Sequence, residues 1–248
     1  MADDAAAKAL RYEALLFDLD GVITKTAAVH ARAWKQLFDQ FLRTWSERTG
    51  QPQAPFEIAV DYVRYVDGRR RFEGVAKYLE SRGITLPMGN PDDGPGMDTI
   101  YGLGLSKNKY FLDELERNGV EVFPDAVDLL NAARAAQRKL AVVSASENCA
   151  MVLRRVGLDG YFQVRVSGLE AKALNLPGKP QPDTFLRAAQ ELGVAPADAV
   201  VLEDAIAGVR AGKAGNFGLV VGVDRGGEAE GLAENGADVV TEDLRSLL

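Results

Sequence analysis

Short apolar runs alternate with amphipathic stretches along most of the chain. Five runs have the length and aliphatic composition of buried β-strands, and they cover residues 14–17, 140–143, 199–202, 217–223 and 238–240. Amphipathic stretches between them predict helices over residues 27–44, 125–137, 147–156, 183–192 and 205–214. Strands without polar positions are expected where helices cover both faces of a parallel sheet. The alternation therefore predicts an α/β fold with a doubly wound, Rossmann-like parallel sheet.

The stretch between the first helix and residue 119 breaks this alternation. It has no strand pattern, and its helical patterns cover residues 56–66, 71–81 and 108–117. A turn-rich segment over residues 86–96 separates the last two. The simplest interpretation is an α-helical cap domain inserted into the α/β core. We therefore expect a core of residues 1–43 and 119–248 and a cap of residues 44–118.

Polar residues capable of chemistry follow three of the predicted strands. They are Asp18 and Asp20 after the first strand, Ser144 after the second, Glu203 and Asp204 after the third, and Lys179 in the loop before a helix. In open α/β sheets, ligands bind outside the carboxyl ends of the strands. We therefore expect these side chains to converge at one edge of the sheet.

This set of side chains suits Mg²⁺-dependent phosphoryl transfer. Mg²⁺ prefers oxygen ligands and usually takes one or two carboxylates, which Asp18 and Asp204 can supply from two strands. A carboxylate can also attack phosphorus and form an aspartyl-phosphate. Mg²⁺ and Lys179 would neutralise the repulsion between that carboxylate and the phosphate. The sequence thus predicts Mg²⁺ as the cofactor.

Proton transfer and phosphate binding have candidates in the same strand-end segments. A turn at Gly21 can direct Asp20 towards the substrate oxygen as general acid and base. Ser144 and the amides that follow it, beginning with Ala145, can bind phosphate oxygens. Each motif taken alone also has a structural interpretation, such as a turn, a helix terminus or a capping box formed by Ser144 and Glu147. Their joint occurrence at successive strand ends favours the chemical interpretation.

Composition removes several other classes of function. The chain has 248 residues, with 36 acidic and 29 basic side chains, one His and one Cys. A Cys/His zinc site and an internal disulfide framework are excluded, and the acidic balance argues against a nucleic-acid partner. No apolar stretch approaches the length of a membrane span, and no signal peptide pattern is present. We expect a cytoplasmic monomer that acts on a small molecule.

Four stretches together resemble the haloacid dehalogenase (HAD) superfamily of phosphotransferases across essentially the whole chain. They are Leu15-Leu16-Phe17-Asp18-Leu19-Asp20-Gly21-Val22, Val143-Ser144, Gly178-Lys179-Pro180 and Leu202-Glu203-Asp204-Ala205-x-Ala207-Gly208-Val209. The resemblance implies that Asp18 is the nucleophile and a Mg²⁺ ligand. It implies that Asp20 is the general acid and base and binds Mg²⁺ through its carbonyl group. The remaining implied roles are phosphoryl binding by Ser144, Ala145 and Lys179, and Mg²⁺ binding by Asp204 with Glu203 ligating or supporting it.

Within the superfamily the chain is most similar to the β-phosphoglucomutase-like subgroup. The similarity rests on the segment from Asp20 to Lys35, on Gly68-x-x-Arg71, on Lys107-Asn108 and on Ser144-Ala145-Ser146-x-Asn148. It implies conversion of β-glucose 1-phosphate to glucose 6-phosphate. It also implies substrate-binding positions at Thr26, His30, Arg71, Lys107, Ser146 and Asn148, with His30 supporting Asp20 rather than carrying out chemistry.

Two substitutions and one insertion depart from the subgroup pattern. Glu147 and Asp67 stand where the subgroup has Lys, which weakens an anion site unless other cations compensate. The compensating candidates are Arg32, Arg69, Arg70 and Arg71. The cap segment 87–104 is longer than expected and either reshapes the sugar pocket or runs over the surface. A sugar-phosphate phosphatase without mutase activity therefore stays open as the alternative function.

A phospho-receiver domain is disfavoured because it is about half this length and has no helical insertion.

Overall fold

The aliphatic runs form one six-stranded parallel sheet in the computed structural model, which describes residues 9–248. Its strands are β1 (Ala14–Phe17), β2 (Lys139–Val143), β3 (Val164–Val166), β4 (Ala199–Glu203), β5 (Leu219–Val223) and β6 (Val239–Thr241). Their order across the sheet is β3-β2-β1-β4-β5-β6, so the direction of progression reverses beside β1. The predicted doubly wound sheet is confirmed, and the reversal marks the edge where ligands bind in such folds.

All five predicted strands occur, and β3 is an additional strand that the sequence analysis missed. It has only three residues and carries Arg165 between two valines. Because β3 lies at the sheet edge and pairs only with β2, it needs no continuous apolar run. Its residues therefore lack the pattern of a strand that is buried on both faces.

Helices cover the sheet. They are α4 (Pro124–Ala135), α5 (Cys149–Arg155), α6 (Gly168–Ala173), α7 (Asp183–Leu192), α8 (Ile206–Ala214) and α9 (Ala229–Glu234). Alternate residues of each strand point to opposite faces, so Leu16 and Val201 join Phe185 of α7 and Val209 of α8 in one buried cluster. Phe17, the next residue of β1 after Leu16, is equally buried on the other face of the sheet. Burial on both faces explains why the interiors of the central strands are continuously apolar.

The inserted segment forms a helical unit with its own core. Its elements are α1 (Thr26–Thr49), a π-helical segment (Ile58–Val66), α2 (Arg71–Ser81) and α3 (Ile100–Asn118). Aromatic rings dominate the packing: Phe38 lies 4.0 Å from Tyr78, 5.3 Å from Trp34 and 5.3 Å from Phe56, measured between ring centroids. Across the described residues 9–248, no helix has the length and apolarity needed to span a membrane.

The chain passes from the α/β unit to the helical unit at a different residue from the one expected. Among the described residues, one unit contains residues 9–25 together with Val120–Leu248, and the other is Thr26–Gly119. The expected boundary near residue 43 would have left most of α1 in the core. Instead α1 continues unbroken to Thr49 and packs along α3, so the whole helix belongs to the helical unit.

A buried carboxylate anchors the C-terminal end of the chain to the α/β unit. Asp125 Oδ2 accepts hydrogen bonds from Arg225 Nη2 at 2.8 Å and from the Leu244 amide at 2.9 Å. Burial alone would raise the pKa of Asp125, but these two donors outweigh it and hold the pKa below its usual value. One side chain thus connects the start of α4, the loop after β5 and the last turn of the chain.

Asp125→Asn is expected to lower the free energy of unfolding by about 2 kcal/mol near neutral pH, because hydrogen bonds to a charged group are the stronger ones. The pKa of Asp125 is lower in the folded protein than its ordinary value of 3.8. The stabilisation is therefore fully present above that value and is lost as the pH falls through the folded-state pKa. Urea unfolding of both proteins across this pH range measures the effect.

Asp128→Asn provides the matched control, because Asp128 pairs with Arg245 while about half exposed. We expect it to change the free energy of unfolding by less than about 1 kcal/mol. A difference between wild type and Asp125→Asn that stays constant down to acidic pH would contradict the assignment.

Candidate active site

The register of the sheet brings the predicted site residues of the α/β unit to one level. Phe17 of β1 pairs with Val142 of β2 and with Leu202 of β4. The Asp18 amide still donates to the Leu202 carbonyl at 2.9 Å, so the contact between β1 and β4 continues to Asp18. Glu203 lies one residue beyond the last pair on β4, at the level of Asp18. Sheet geometry alone explains why residues about 185 positions apart in the chain meet.

Lys179 is the centre of this cluster. Its ammonium donates to Asp18 Oδ1 at 2.5 Å, to the Val143 carbonyl at 3.1 Å and to Glu203 Oε1. The side chain of Lys179 is only 2% exposed, and that of Glu203 is fully buried. An ammonium has three N–H donors, so each of them has an acceptor. The ring of Phe185 lies below the ammonium, with its centroid 4.9 Å from Nζ.

Burial and neighbouring charges shift the protonation of this cluster. Burial raises the pKa of Asp18 well above its usual value; Glu203 and Asp20 raise it further, and Lys179 opposes the shift. Burial lowers the pKa of Lys179, but the attraction of Asp18 and Glu203 outweighs it and raises the pKa above its ordinary value. Lys179 therefore stays protonated, and Asp18 gains its charged form more readily when a further cation is near.

Ser144 and the loop after it form the second part of the site. The Ser144 hydroxyl donates to Asp20 Oδ2 at 3.3 Å and accepts the Ser146 amide at 3.1 Å, and Ser146 Oγ accepts the Asn148 amide at 3.2 Å. Helix α5 begins only at Cys149. The capping box proposed for Ser144 is therefore not formed, because its hydroxyl is engaged by Ser146 and Asp20 before the helix begins.

The backbone of the same loop packs closely on α6. A Cβ atom on Gly168 would lie 2.6 Å from the Ala145 carbonyl oxygen and 3.2 Å from Glu147 Cγ. The Gly168 amide donates to the Ser146 carbonyl at 3.2 Å. Glycine at position 168 thus fixes the path of the loop from Ala145 to Glu147.

Asp204 lies against the turn that follows Asp20. Gly21 has a φ of +97°, and its amide donates to the Thr24 carbonyl at 2.7 Å. A Cβ atom at Gly21 would lie only 1.7 Å from Asp204 Oδ2, so both the turn and the carboxylate require glycine here. The turn therefore brings the Asp204 carboxylate beside the segment that carries Asp18 and Asp20.

This donor set fits Mg²⁺. The candidate side chains offer hard oxygen donors, and the two candidate ligands Asp18 and Asp204 follow different strands. Within residues 9–248, no group of three or more His, Cys, Asp or Glu side chains is arranged so that it could hold a metal ion. Mg²⁺ does not need such a group, since it retains waters and uses phosphate oxygens beside one or two carboxylates.

The helical unit holds the other predicted positions. Lys107 is 3% exposed, contacts His30 Nδ1, and lies between the rings of Trp34 and Phe111, whose centroids are 5.1 and 4.9 Å from Nζ. His30 stacks on Phe111 with centroids 4.0 Å apart. Thr26 is the buried first residue of α1. His30 and Lys107 thus form one cluster inside this unit.

Arg71 belongs to the same region of the helical unit as Lys107. A Cβ atom on Gly104 would lie 3.4 Å from Arg71 Cδ, so the stem of Arg71 lies against α3 one turn before Lys107. Two of the other arginines proposed to compensate for Glu147 and Asp67 have acidic neighbours. Arg32 pairs with Glu114 at 2.8 Å, and Arg70 lies 3.8 Å from Glu73.

Comparisons with known proteins identify the family of the chain. A family model for haloacid dehalogenase-like hydrolases matches residues 12–216. The chain belongs to the haloacid dehalogenase-like hydrolase family. β-Phosphoglucomutase of Mycobacterium tuberculosis is 48% identical over 241 residues, which span 96% of this chain and 92% of that protein. β-Phosphoglucomutase of Bacillus subtilis is 29% identical over 236 residues, spanning 95% and 91% respectively.

A solved structure carries the same arrangement of elements. The crystal structure of β-phosphoglucomutase from Clostridium difficile superposes with a TM-score of 0.73 at 27% identity, covering 96% of this chain and 93% of that one. The expected family membership is confirmed, and the protein is an enzyme of the HAD family.

Three structural features of this HAD site were missed by sequence reasoning. They are the Val143 carbonyl as an acceptor for Lys179, the Phe185 ring beneath the ammonium, and the close contact between Gly208 and Glu203. A Cβ atom on Gly208 would lie 1.8 Å from Glu203 Oε1. Of these three features, only the contact at Gly208 could have been suspected from the sequence. Gly208 stands in the motif near the start of a helix, where glycine is unfavourable unless a close contact requires it.

Gly208→Ala is expected to destabilise the protein by about 3 kcal/mol, because the new methyl group displaces Glu203 from the buried ammonium of Lys179. Intrinsic helix propensity acts in the opposite direction, since alanine stabilises a helix interior by up to about 1 kcal/mol relative to glycine. Urea unfolding monitored by circular dichroism measures the net effect.

Gly231→Ala in α9 is the control. Its nearest contact would be an ordinary 3.4 Å to Ile206 Cδ1, so stability is expected to be unchanged or raised. Equal stability of the two variants would show that Glu203 does not depend on the space at Gly208.

Proposed function

We propose that this protein is a β-phosphoglucomutase that converts β-glucose 1-phosphate to glucose 6-phosphate by Mg²⁺-dependent phosphoryl transfer through Asp18. The observation that carries the proposal is the cluster of Asp18, Lys179 and Glu203 at the topological reversal of the sheet. The 48% identity to a mycobacterial β-phosphoglucomutase over nearly the whole chain supports the choice of substrate.

The charge of the proposed core residues favours a role for Mg²⁺. The carboxylates of Asp18, Asp20, Glu203 and Asp204 outnumber the ammonium of Lys179 among the proposed core residues, so a phosphate dianion would meet net negative charge there. Asp18, Asp204 and the carbonyl group of Asp20 would hold the ion, with Glu203 supporting it. When bound, Mg²⁺ supplies electrostatic neutralisation of the nucleophile and the transferring phosphoryl group.

The covalent step uses Asp18. Its carboxylate oxygen attacks phosphorus in line, forming an acyl-phosphate bond as the bond from phosphorus to the sugar oxygen breaks. Lys179 already lies against Asp18 and stays protonated, so it can balance charge on the phosphoryl oxygens. The Ser144 hydroxyl and the Ala145 amide provide further donors for these oxygens.

Proton transfer falls to Asp20. It gives a proton to the departing sugar oxygen and later removes one from the hydroxyl group that attacks the aspartyl-phosphate. The 3.3 Å contact from the Ser144 hydroxyl orients the Asp20 carboxylate. Asp18 and Asp20 thus divide the work, because one forms the covalent bond and the other moves the proton.

We assign recognition of the sugar phosphate to Ser146 and Asn148 in the α/β unit and to Thr26, His30, Arg71 and Lys107 in the helical unit. The stem of Arg71 lies against α3 at Gly104, three residues before Lys107. Arg71 is one of the arginines proposed to compensate for Glu147 and Asp67, which stand at positions where the subgroup has lysines.

The deciding assay supplies β-glucose 1-phosphate with Mg²⁺ and a trace of β-glucose 1,6-bisphosphate. Wild type is expected to produce glucose 6-phosphate, detected by coupled reduction of NADP with a dehydrogenase. Asp18→Asn should reduce turnover by about 10⁴-fold or more, because the amide cannot act as the nucleophile. Removal of Mg²⁺ with EDTA should abolish turnover reversibly.

Asp198→Asn is the control, since Asp198 is exposed and precedes β4 at the opposite end of that strand from Glu203. It should retain wild-type turnover. Release of inorganic phosphate without formation of glucose 6-phosphate would contradict the mutase assignment and support the phosphatase alternative. Isomerisation that survives in Asp18→Asn would refute Asp18 as nucleophile.

A further inference from the structure

Residues 87–99, here called the strap, connect α2 to α3 without regular secondary structure yet are closely fastened. Asp93 Oδ2 accepts the Asn90 amide at 3.0 Å and the Thr99 hydroxyl at 2.7 Å. Thr99 in turn caps α3 by accepting the Gly102 amide at 2.9 Å. Asp98 forms an ion pair with Arg48 at the end of α1. The strap is therefore held at several points rather than lying loosely on the surface.

The strap packs on one side of α3. The Gly96 amide donates to Ser106 Oγ at 2.8 Å, and Ser106 is only 7% exposed. A Cβ atom on Gly102 would lie 2.4 Å from the Met97 carbonyl oxygen, so the strap backbone occupies the space that a side chain would fill. Gly102 and Ser106 are four residues apart and share a helix face, which makes this face the seat of the strap.

The same two turns of α3 carry the contacts of the cationic residues. Lys107 follows Ser106 directly and reaches His30, Trp34 and Phe111. The same turns also contact α2, because a Cβ atom on Gly104 would lie 2.6 Å from the Phe72 ring. Any rotation or shift of these turns by the strap would therefore move Lys107 as well.

We propose that the strap is a positioning element that fixes the first two turns of α3 and thereby orients Lys107. The strap contributes no group to the reaction in this proposal. Its link to sugar-phosphate binding rests on the proposed function, in which Lys107 and the adjacent Arg71 contact the substrate. Gly102 and Ser106 are the positioning residues through which the strap acts.

Gly102→Ala tests the proposal, because the added methyl group forces the Met97 carbonyl away from α3. Gly94→Ala is the matched control: Gly94 also lies in the strap, needs no positive φ, and a methyl group there would meet no heavy atom of residues 9–248 within 4 Å. Ser106→Ala is a second test that removes the acceptor of the Gly96 amide without adding volume. Circular dichroism establishes that each variant is folded.

The first readout does not involve substrate. His30 is the sole histidine of the chain, so the Hε1 proton of its imidazole gives one NMR signal that needs no further assignment and reports the contact with Lys107. We expect this signal to shift in Gly102→Ala and Ser106→Ala and to stay in place in Gly94→Ala. An unmoved His30 signal in both test variants would overturn the proposal.

The second readout compares two substrates. We expect KM for β-glucose 1-phosphate to rise by about 10-fold to 100-fold in the test variants, with hydrolysis of p-nitrophenyl phosphate, which lacks the sugar, unchanged. A shifted His30 signal with unchanged KM would support positioning by the strap and overturn the assignment of Lys107 to the sugar phosphate. The two readouts thereby separate this inference from the proposed function.

Discussion

The ammonium of Lys179 is the constraint on which the α/β unit depends. A buried charge is costly unless each of its hydrogen-bonding groups has a partner, and Lys179 has three donors to satisfy. Its acceptors are Asp18 after β1, the Val143 carbonyl at the end of β2, and Glu203 at the end of β4. A slip of one residue between these strands would leave the charge unpaired, so the ion cluster and the sheet register specify each other.

The same cluster sets the electrostatic state of the site before substrate binds. Lys179 compensates two carboxylates at once, while Asp20 and Asp204 add negative charge next to them. In the proposed function, an incoming phosphate would therefore need additional positive charge, which a divalent cation would supply. Charge balance would then contribute to the selectivity of the site beside its shape.

The sheet could be predicted well from the sequence because its rule is local. Strands buried on both faces must be continuously apolar, and the residue after each run must lie at the ligand-binding edge, as Asp18 and Ser144 do. The exceptions have physical reasons. Strand β3 escaped because Arg165 interrupts a three-residue edge strand. Helix α3 begins at Ile100, eight residues earlier than predicted. Gly102 and Gly104 favour a loop in the sequence, and only the structure shows that they allow close packing of the helix against its neighbours.

The helical unit resisted prediction because its geometry is set by contacts between distant side chains. The resemblance implies a substrate-binding role for Lys107, but the sequence does not show that Trp34 and Phe111 enclose and bury it. Which face of a helix packs inward depends on partners such as the strap, whose turn-rich sequence predicts only a loop. Candidate residues for chemistry can therefore be proposed from strand ends, whereas candidates for substrate choice depend on how the helices pack. A glycine such as Gly102, which carries no functional group, enters the proposed positioning of Lys107 because its missing side chain leaves room for the strap.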